Sequence, residues 1–197
     1  MNAMGYDAMA IGGRDAPGGP DLLQARLAEA KFAVLSANLT LGGKLVAKPY
    51  TIIKRGGVTV AVLGLTAPRV GPLPAGLTVS DPVQAAQQYV PKLRQQADIV
   101  VILGALGPDL EQKLVAQVPG FDFLIGGGVS DPSPTMVDAH GPAVVHVGTL
   151  GEYLGVTTLA LNANHRPISY SFQALALDPS FADDPEVANL LRRYGAQ

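Results

Sequence analysis

Cysteine is absent from the 197 residues. That excludes disulfides and thiolate metal sites, without fixing a compartment. Clustered basic charge is missing too: Lys and Arg number 14 against 16 Asp and Glu, for a formal net charge of -2. A surface that neutralises nucleic-acid phosphates needs clustered Lys and Arg, so no nucleic-acid partner is expected. No apolar run approaches the ~20 residues that span a bilayer, so no membrane span is expected. Met1–Tyr6 has neither the basic start nor the apolar stretch of a signal peptide. An export signal, if the natural product has one, is expected outside these residues.

What is present is a globular composition. Hydrophobic residues make up 48% of the chain, more than a disordered segment carries. The length suits one domain, with or without a short arm. The 23 glycines and 16 prolines mostly end apolar segments, as in a chain of many short strands and tight loops.

Apolar patterning predicts the element order. Tyr6–Ile11 reads as a strand, Leu22–Ala30 as a helix with Leu23, Leu27 and Ala30 on one face, and Phe32–Ser36 as a second strand. Pro49–Lys54 and Val58–Leu65, joined by Arg55-Gly56-Gly57, form a hairpin signature. Val58–Leu65 is apolar at nearly every position, as in a strand buried on both faces. Asp81-Pro82 opens a helix whose buried stripe is Val83, Ala86, Val90 and Leu93. Pro91 removes its hydrogen bond to Gln87 and is expected to kink it. Strand Asp98–Leu103, helix Asp109–Gln117 and strand Phe121–Ile125 follow, an alternation that implies a parallel sheet with right-handed crossovers. Ala143–Val147, Leu154–Leu161 and Ile168–Ala176 read as antiparallel strands. A last helix starts at Asp184-Pro185, with Val187, Leu190, Leu191 and Tyr194 at helical spacing and Gly195 suited to its C-terminal cap.

In open α/β sheets ligands bind beyond the carboxyl ends of the strands. Four such ends run into small-residue loops: Gly12-Gly13-Arg14-Asp15, Gly64-Leu65-Thr66-Ala67-Pro68, Gly104-Ala105-Leu106-Gly107, and Gly126-Gly127-Gly128-Val129-Ser130-Asp131. Arg14 offers a guanidinium fork to a phosphate or an ion pair to Asp15. Gly126-Gly127-Gly128 offers either N–H groups to an anion or a plain tight turn. Asp15, Asp131 and Asp138 are oxygen donors of the kind Mg²⁺ or Ca²⁺ accepts, and equally ordinary loop aspartates. His146 and His165 lack partners at ligand spacing and read as structural. Asn38 reads as a strand-end residue bonding backbone, and Tyr153 as a packing residue. Asp109 and Glu111 sit in a first helical turn, where negative charge is favourable.

Several segments, in one order and at matching spacing, carry a resemblance. They are Met4–Met9, Phe32–Asn38, Lys48-Pro49-Tyr50 with Val60–Thr66, Ala97–Leu103, Pro119–Asp122, and Gly148 with Gly151–Gly155. In these the chain resembles the 5′-nucleotidase branch of the calcineurin-like metallophosphoesterases over nearly its whole length. The resemblance implies an α/β mixed-sheet sandwich of the four-layer α/β/β/α kind, lacking its first strands. It implies a partial domain over residues 1–178 and a connector helix over residues 179–197. It suggests a periplasmic or extracellular location.

Members of that family hold two divalent metals at the strand ends, using Asp, Asn and His. Here the resemblance puts Gly13 at the Asn position, Arg14 at the following His, Asp15 at the Glu and Pro17 at the acid that orients that His. Ala105 stands at the His of His-Leu-Gly, and Gly128 and Ser130 at the two ligands of Gly-Gly-His-x-His. The family's Asp-x-His strand end and Gly-Asp segment would precede Met1. Asp138-Ala139-His140 matches Asp-x-His in letters only, since it lies in a loop before a strand.

Gly and Ala have no donor atom, so no metal cofactor and no catalytic residue are expected. The degenerate loops, with Gly13, Arg14, Asp15, Ala105, Gly128, Ser130 and Asp131, remain candidates for a small phosphate-bearing ligand. The expected function is a non-catalytic binding or assembly domain. The alternative is a phosphoester hydrolase using Mn, Zn or Mg, its site completed by an upstream segment or another subunit, with Asp15, Asp131 and His140 as local candidates. A homo-oligomer or partner subunit is expected to cover the sheet flank.

Overall fold

A computed structural model describes residues 1–68, 73–127, 132–136 and 141–195. At its centre is a six-stranded sheet built where the sequence is most apolar. β5 (Tyr50–Arg55) and β6 (Val58–Gly64) form the expected hairpin, and β6 continues parallel to β8 (Ile99–Gly104) and β9 (Phe123–Gly126). Helix α2 (Pro82–Arg94) leads into β8, and α3 (Pro108–Gln117) joins β8 to β9. This is the predicted alternation, and a parallel ladder requires such crossovers. β11 (Ala143–Val147) lies parallel to β9 and antiparallel to β10 (Pro132–Met136), giving the order β10-β11-β9-β8-β6-β5. The expectation that Ala143–Val147 belongs to a purely antiparallel final third is therefore corrected. Its place was set by β9, some twenty residues earlier, and by β10, whose prolines hide it from a strand reading.

α2 and α3 cover one face of this sheet. Val83, Ala86, Val90, Leu93 and Leu114 meet Ala61, Leu63, Val100, Ile102, Leu124 and Val144 in the main core. Asp81 caps α2 by accepting the Val83 N–H at 2.7 Å, and the helix runs on through Pro91 to Arg94.

Two small sheets lie on the opposite face. One pairs β1 (Ala8–Ala10) with β2 (Ala33–Leu35) in parallel; the other pairs β12 (Tyr153–Leu161) with β13 (Pro167–Ala176) in antiparallel. Leu35 crosses β6 so closely at Gly64 that a Cβ there would sit 2.4 Å from the leucine Cβ. Leu159, Leu161 and Tyr170 pack on Val58, Ile99, Val101 and Phe123.

Helix α1 (Pro20–Glu29) forms an outer layer over β2 through Leu23 and Leu27, in a core shared with Ile11, Val34 and Leu39. Helix, sheet, sheet and helix thus stack in four layers. The short strands β3 (Leu39–Leu41), β4 (Lys44–Leu45) and β7 (Leu77–Val79) make a further sheet that residue patterning did not mark. α4 (Pro185–Arg193) buries none of its residues and touches the 3₁₀ turn Asn2–Met4. Gly195 follows it at φ +68, and its N–H bonds the Arg192 carbonyl, as its capping role requires.

Candidate functional site

The carboxyl ends of β1, β2, β6, β8 and β9 converge, and a buried polar network ties the first three together. The Thr66 hydroxyl donates to the Ile11 carbonyl at 2.8 Å, so the Ser36 hydroxyl, 2.8 Å away, donates to Thr66. Ser36 Oγ also accepts the Leu39 N–H at 3.1 Å. Asn38 clamps Thr66 from both sides: its Oδ1 takes the Thr66 N–H and its Nδ2 donates to the Thr66 and Ser80 carbonyls, each at 2.8 Å. Asn38 is thus the backbone-bonding residue expected at that strand end. All three side chains are buried, every side-chain donor among them is used, and each oxygen already accepts one hydrogen bond.

The loop after β1 closes on itself. Asp15 accepts the Gly12 N–H on its carboxylate at 2.7 Å and donates its own N–H to the Gly12 carbonyl at 3.1 Å. Arg14 is exposed and makes no ion pair among the described residues, Asp15 included. Gly13 lies against Ala67, its Cβ position 4.0 Å from the Ala67 carbonyl. Across the sheet, the Cβ position of Gly127 is 3.2 Å from the Ala105 Cβ, and the Gly127 N–H bonds the Gly104 carbonyl. Gly128, Ser130 and Asp131, with Asp138 and His140, lie outside the described residues.

One polar pair at this end escaped residue-by-residue reading. His146 Nε2 on β11 lies 2.9 Å from Glu111 Oε2 on α3, and both side chains are more than nine-tenths buried. His146 is thus a buried residue of the core's polar contacts, with Glu111 as a partner that sequence spacing did not reveal. Glu111 stands in the first turn of α3, as expected, and is buried there. The pair spans β9 at Gly126: a Cβ there would sit 2.5 Å from Glu111 Oε1 and 2.6 Å from His146 Nε2. Only glycine admits this contact. Glu111 Oε1 and His146 Nδ1 have no hydrogen-bond partner among the described residues. A signal existed, because Glu111 stands three residues before Leu114 on the buried stripe of α3. His165 lies in the β12–β13 turn at φ +58, with Nδ1 3.8 Å from Asp98 Oδ2.

The metals of the resembled family can be tested against these donors. Gly13 and Ala105 have none, Arg14 is a cation, Asp15 is engaged by Gly12, and Ser36, Asn38 and Thr66 are buried and bonded to one another and to backbone. No group of three His, Asp or Glu side chains able to hold a metal ion occurs among the described residues. The donors of the described residues do not fit a two-metal centre.

The layered architecture and the strand-end crevice define a metallophosphoesterase fold. In three dimensions the chain superposes on a calcineurin-like phosphoesterase, YfkN, from Bacillus subtilis with a TM-score of 0.81, at 22% identity over 99% of this chain and 71% of that one. Within this fold its relatives by sequence are 5′-nucleotidases. It is 28% identical to the Homo sapiens 5′-nucleotidase over 95% of its own length and 38% of that protein's. The 5′-nucleotidase precursor from Thermus thermophilus matches with a TM-score of 0.80 at 26% identity, over 96% of this chain and 42% of that one. The chain therefore spans about two fifths of the length of these nucleotidases. No protein-family model matches it. No helix among the described residues is long and apolar enough to cross a membrane.

Proposed function

We propose that this chain is a non-catalytic metallophosphoesterase-like domain that serves binding or assembly. The observation carrying this reading is the donor chemistry at the strand ends, where Gly13 and Ala105 offer no ligand atom and the neighbouring polar side chains are already bonded. If a small phosphate-bearing molecule binds, the loops with Gly13, Arg14, Asp15, Ala105, Gly128, Ser130 and Asp131 are its place, with Arg14 as the cation. Residues 1–178 act as the domain and residues 179–197 as a connector. The kinship with nucleotidases also favours a location outside the cytoplasm.

The test is metal content. Protein equilibrated with Mn²⁺ or Zn²⁺ and desalted is expected to retain far less than one ion per chain. It is expected to release no phosphate from nucleoside monophosphates or p-nitrophenyl phosphate above buffer. Near-stoichiometric metal would sink the proposal.

A second reading is favoured by the 28% identity to a nucleotidase across 95% of the chain. It is a metal-dependent phosphoester hydrolase whose missing ligands come from an upstream segment or another subunit, with Asp15, Asp131 and His140 contributing locally. Metal-stimulated turnover by the purified chain would establish it.

A further inference from the structure

The three outermost strands of the two large layers are not alike. β10 and β5 end the six-stranded sheet. β10 carries Pro132 and Pro134, which have no N–H to offer, and β5 ends in Lys54 and Arg55. These are the devices by which natural edges avoid pairing. β13 has neither. It is ten residues long, its one proline is its first residue, and it holds no charged side chain. It pairs with β12 and with no other strand among the described residues. β12 lies against β11 and β13 against β10, the outermost strand of the main sheet. Among the described residues the free edge of β13 is therefore lateral and uncovered, whereas that of β12 faces inward across the sheet.

A row of unpaired N–H and C=O groups has one complement, another extended backbone. We propose that the edge of β13 is a self-association surface, pairing antiparallel with β13 of a second copy. This rests on the assembly reading above and names its surface. Three features select a second copy. The strand is uncharged, and the chain's net charge of -2 opposes self-contact little. Arg166 precedes the strand and Asp178 follows it, so an antiparallel two-fold sets the basic start of each strand beside the acidic end of the other; a parallel arrangement would align like charges.

The third feature is side-chain matching. A two-fold near Ser171 places half-buried Tyr170 opposite Phe172 of the partner subunit, and Ser169 opposite Gln173 of the partner subunit. Aromatic and uncharged polar cross-strand pairs of this kind are favourable. A strand pair alone is small for a stable interface. Here an open groove of about 790 Å³, lined by polar and apolar groups alike, with Phe121, Phe123, Asp122 and Ile168 among them, adjoins the first half of the strand. Ile168 itself is 67% exposed.

Charge substitution tests this. Wild type is expected to sediment as a dimer at micromolar concentration. Ser169→Lys with Ser171→Lys, and separately Ser169→Glu with Ser171→Glu, are each expected to weaken dimerisation about tenfold or more, since the charge at position 171 faces its own copy across the axis and the one at position 169 lies diagonally beside it. An equimolar mixture of the two is expected to recover the dimer. A monomeric wild type, a dimer indifferent to both variants, or a mixture that stays monomeric would each overturn the proposal. Should the variants fail to fold, hydrogen exchange on wild type decides: slowing of β13 amides with rising concentration supports it, and concentration-independent exchange overturns it. A metal-free monomer removes this inference alone, whereas an active, metal-loaded chain removes the proposed function.

Discussion

His146 and Glu111 form the most deeply buried pair of ionisable side chains in contact among the described residues, each more than nine-tenths out of water. Removing one partner leaves the other buried without a hydrogen bond, which costs more than the bond itself contributes. His146→Ala is expected to lower unfolding free energy by about 3 kcal/mol, read from urea midpoints at constant m value. His146→Leu combined with Glu111→Leu removes both polar groups and restores apolar volume on the face that packs Leu114, Leu124 and Val144. The double variant is expected to recover most of that loss, as paired replacement of buried ionisable groups does elsewhere. A double variant no more stable than His146→Ala would mean that the pair's geometry, not its burial, supports the β9–β11 strand ends.

At the scale of elements, identical caps should have unequal effects. Asp81 and Asp184 both precede a proline and both accept first-turn N–H groups, from Val83 in α2 and from Glu186 and Val187 in α4. α2 buries Val83, Ala86, Val90 and Leu93, so its cap is coupled to the main core; α4 buries nothing. Asp81→Ala is expected to reduce global stability by about 1 kcal/mol. Asp184→Ala should leave the global transition unmoved and only raise exchange of the α4 amides, because a helix without packing frays alone. The same distinction explains what the sequence disclosed. β6, β8, β9 and α2 were legible because burial writes itself as apolar runs and helical spacing. β3, β4 and β7 were not, because strands of two or three residues are specified by their neighbours. The strand-end loops were legible from their glycines, whereas the His146–Glu111 pair joins residues 35 apart and appears only when β11 docks beside β9.

The whole molecule is stabilised unevenly across its layers. The six-stranded sheet and α2–α3 share a continuous core, whereas the second layer is split into β1–β2 and β12–β13, with no hydrogen bond between them among the described residues. Ile125, on the sheet face beneath this layer, is 38% exposed. The β12–β13 hairpin is held to the body by Leu159, Leu161 and Tyr170 and, at its turn, by Arg166. Arg166 Nη1 donates to the Ala97 and Asp98 carbonyls at 3.2 and 2.8 Å, sharing them with Arg94, itself paired to Asp122 at 2.6 Å. Local opening follows the least-packed unit. In protein dilute enough to be monomeric, amides of β6, β8 and β9 are expected to exchange only through global unfolding, while those of β12 and β13 exchange earlier, as one unit. Arg166→Ala removes a charged donor from two carbonyls that Arg94 still serves. It should speed exchange of the hairpin about tenfold and leave that of β8 unchanged. Equal acceleration in β8 would show that hairpin and sheet open together, and that the split second layer is energetically whole.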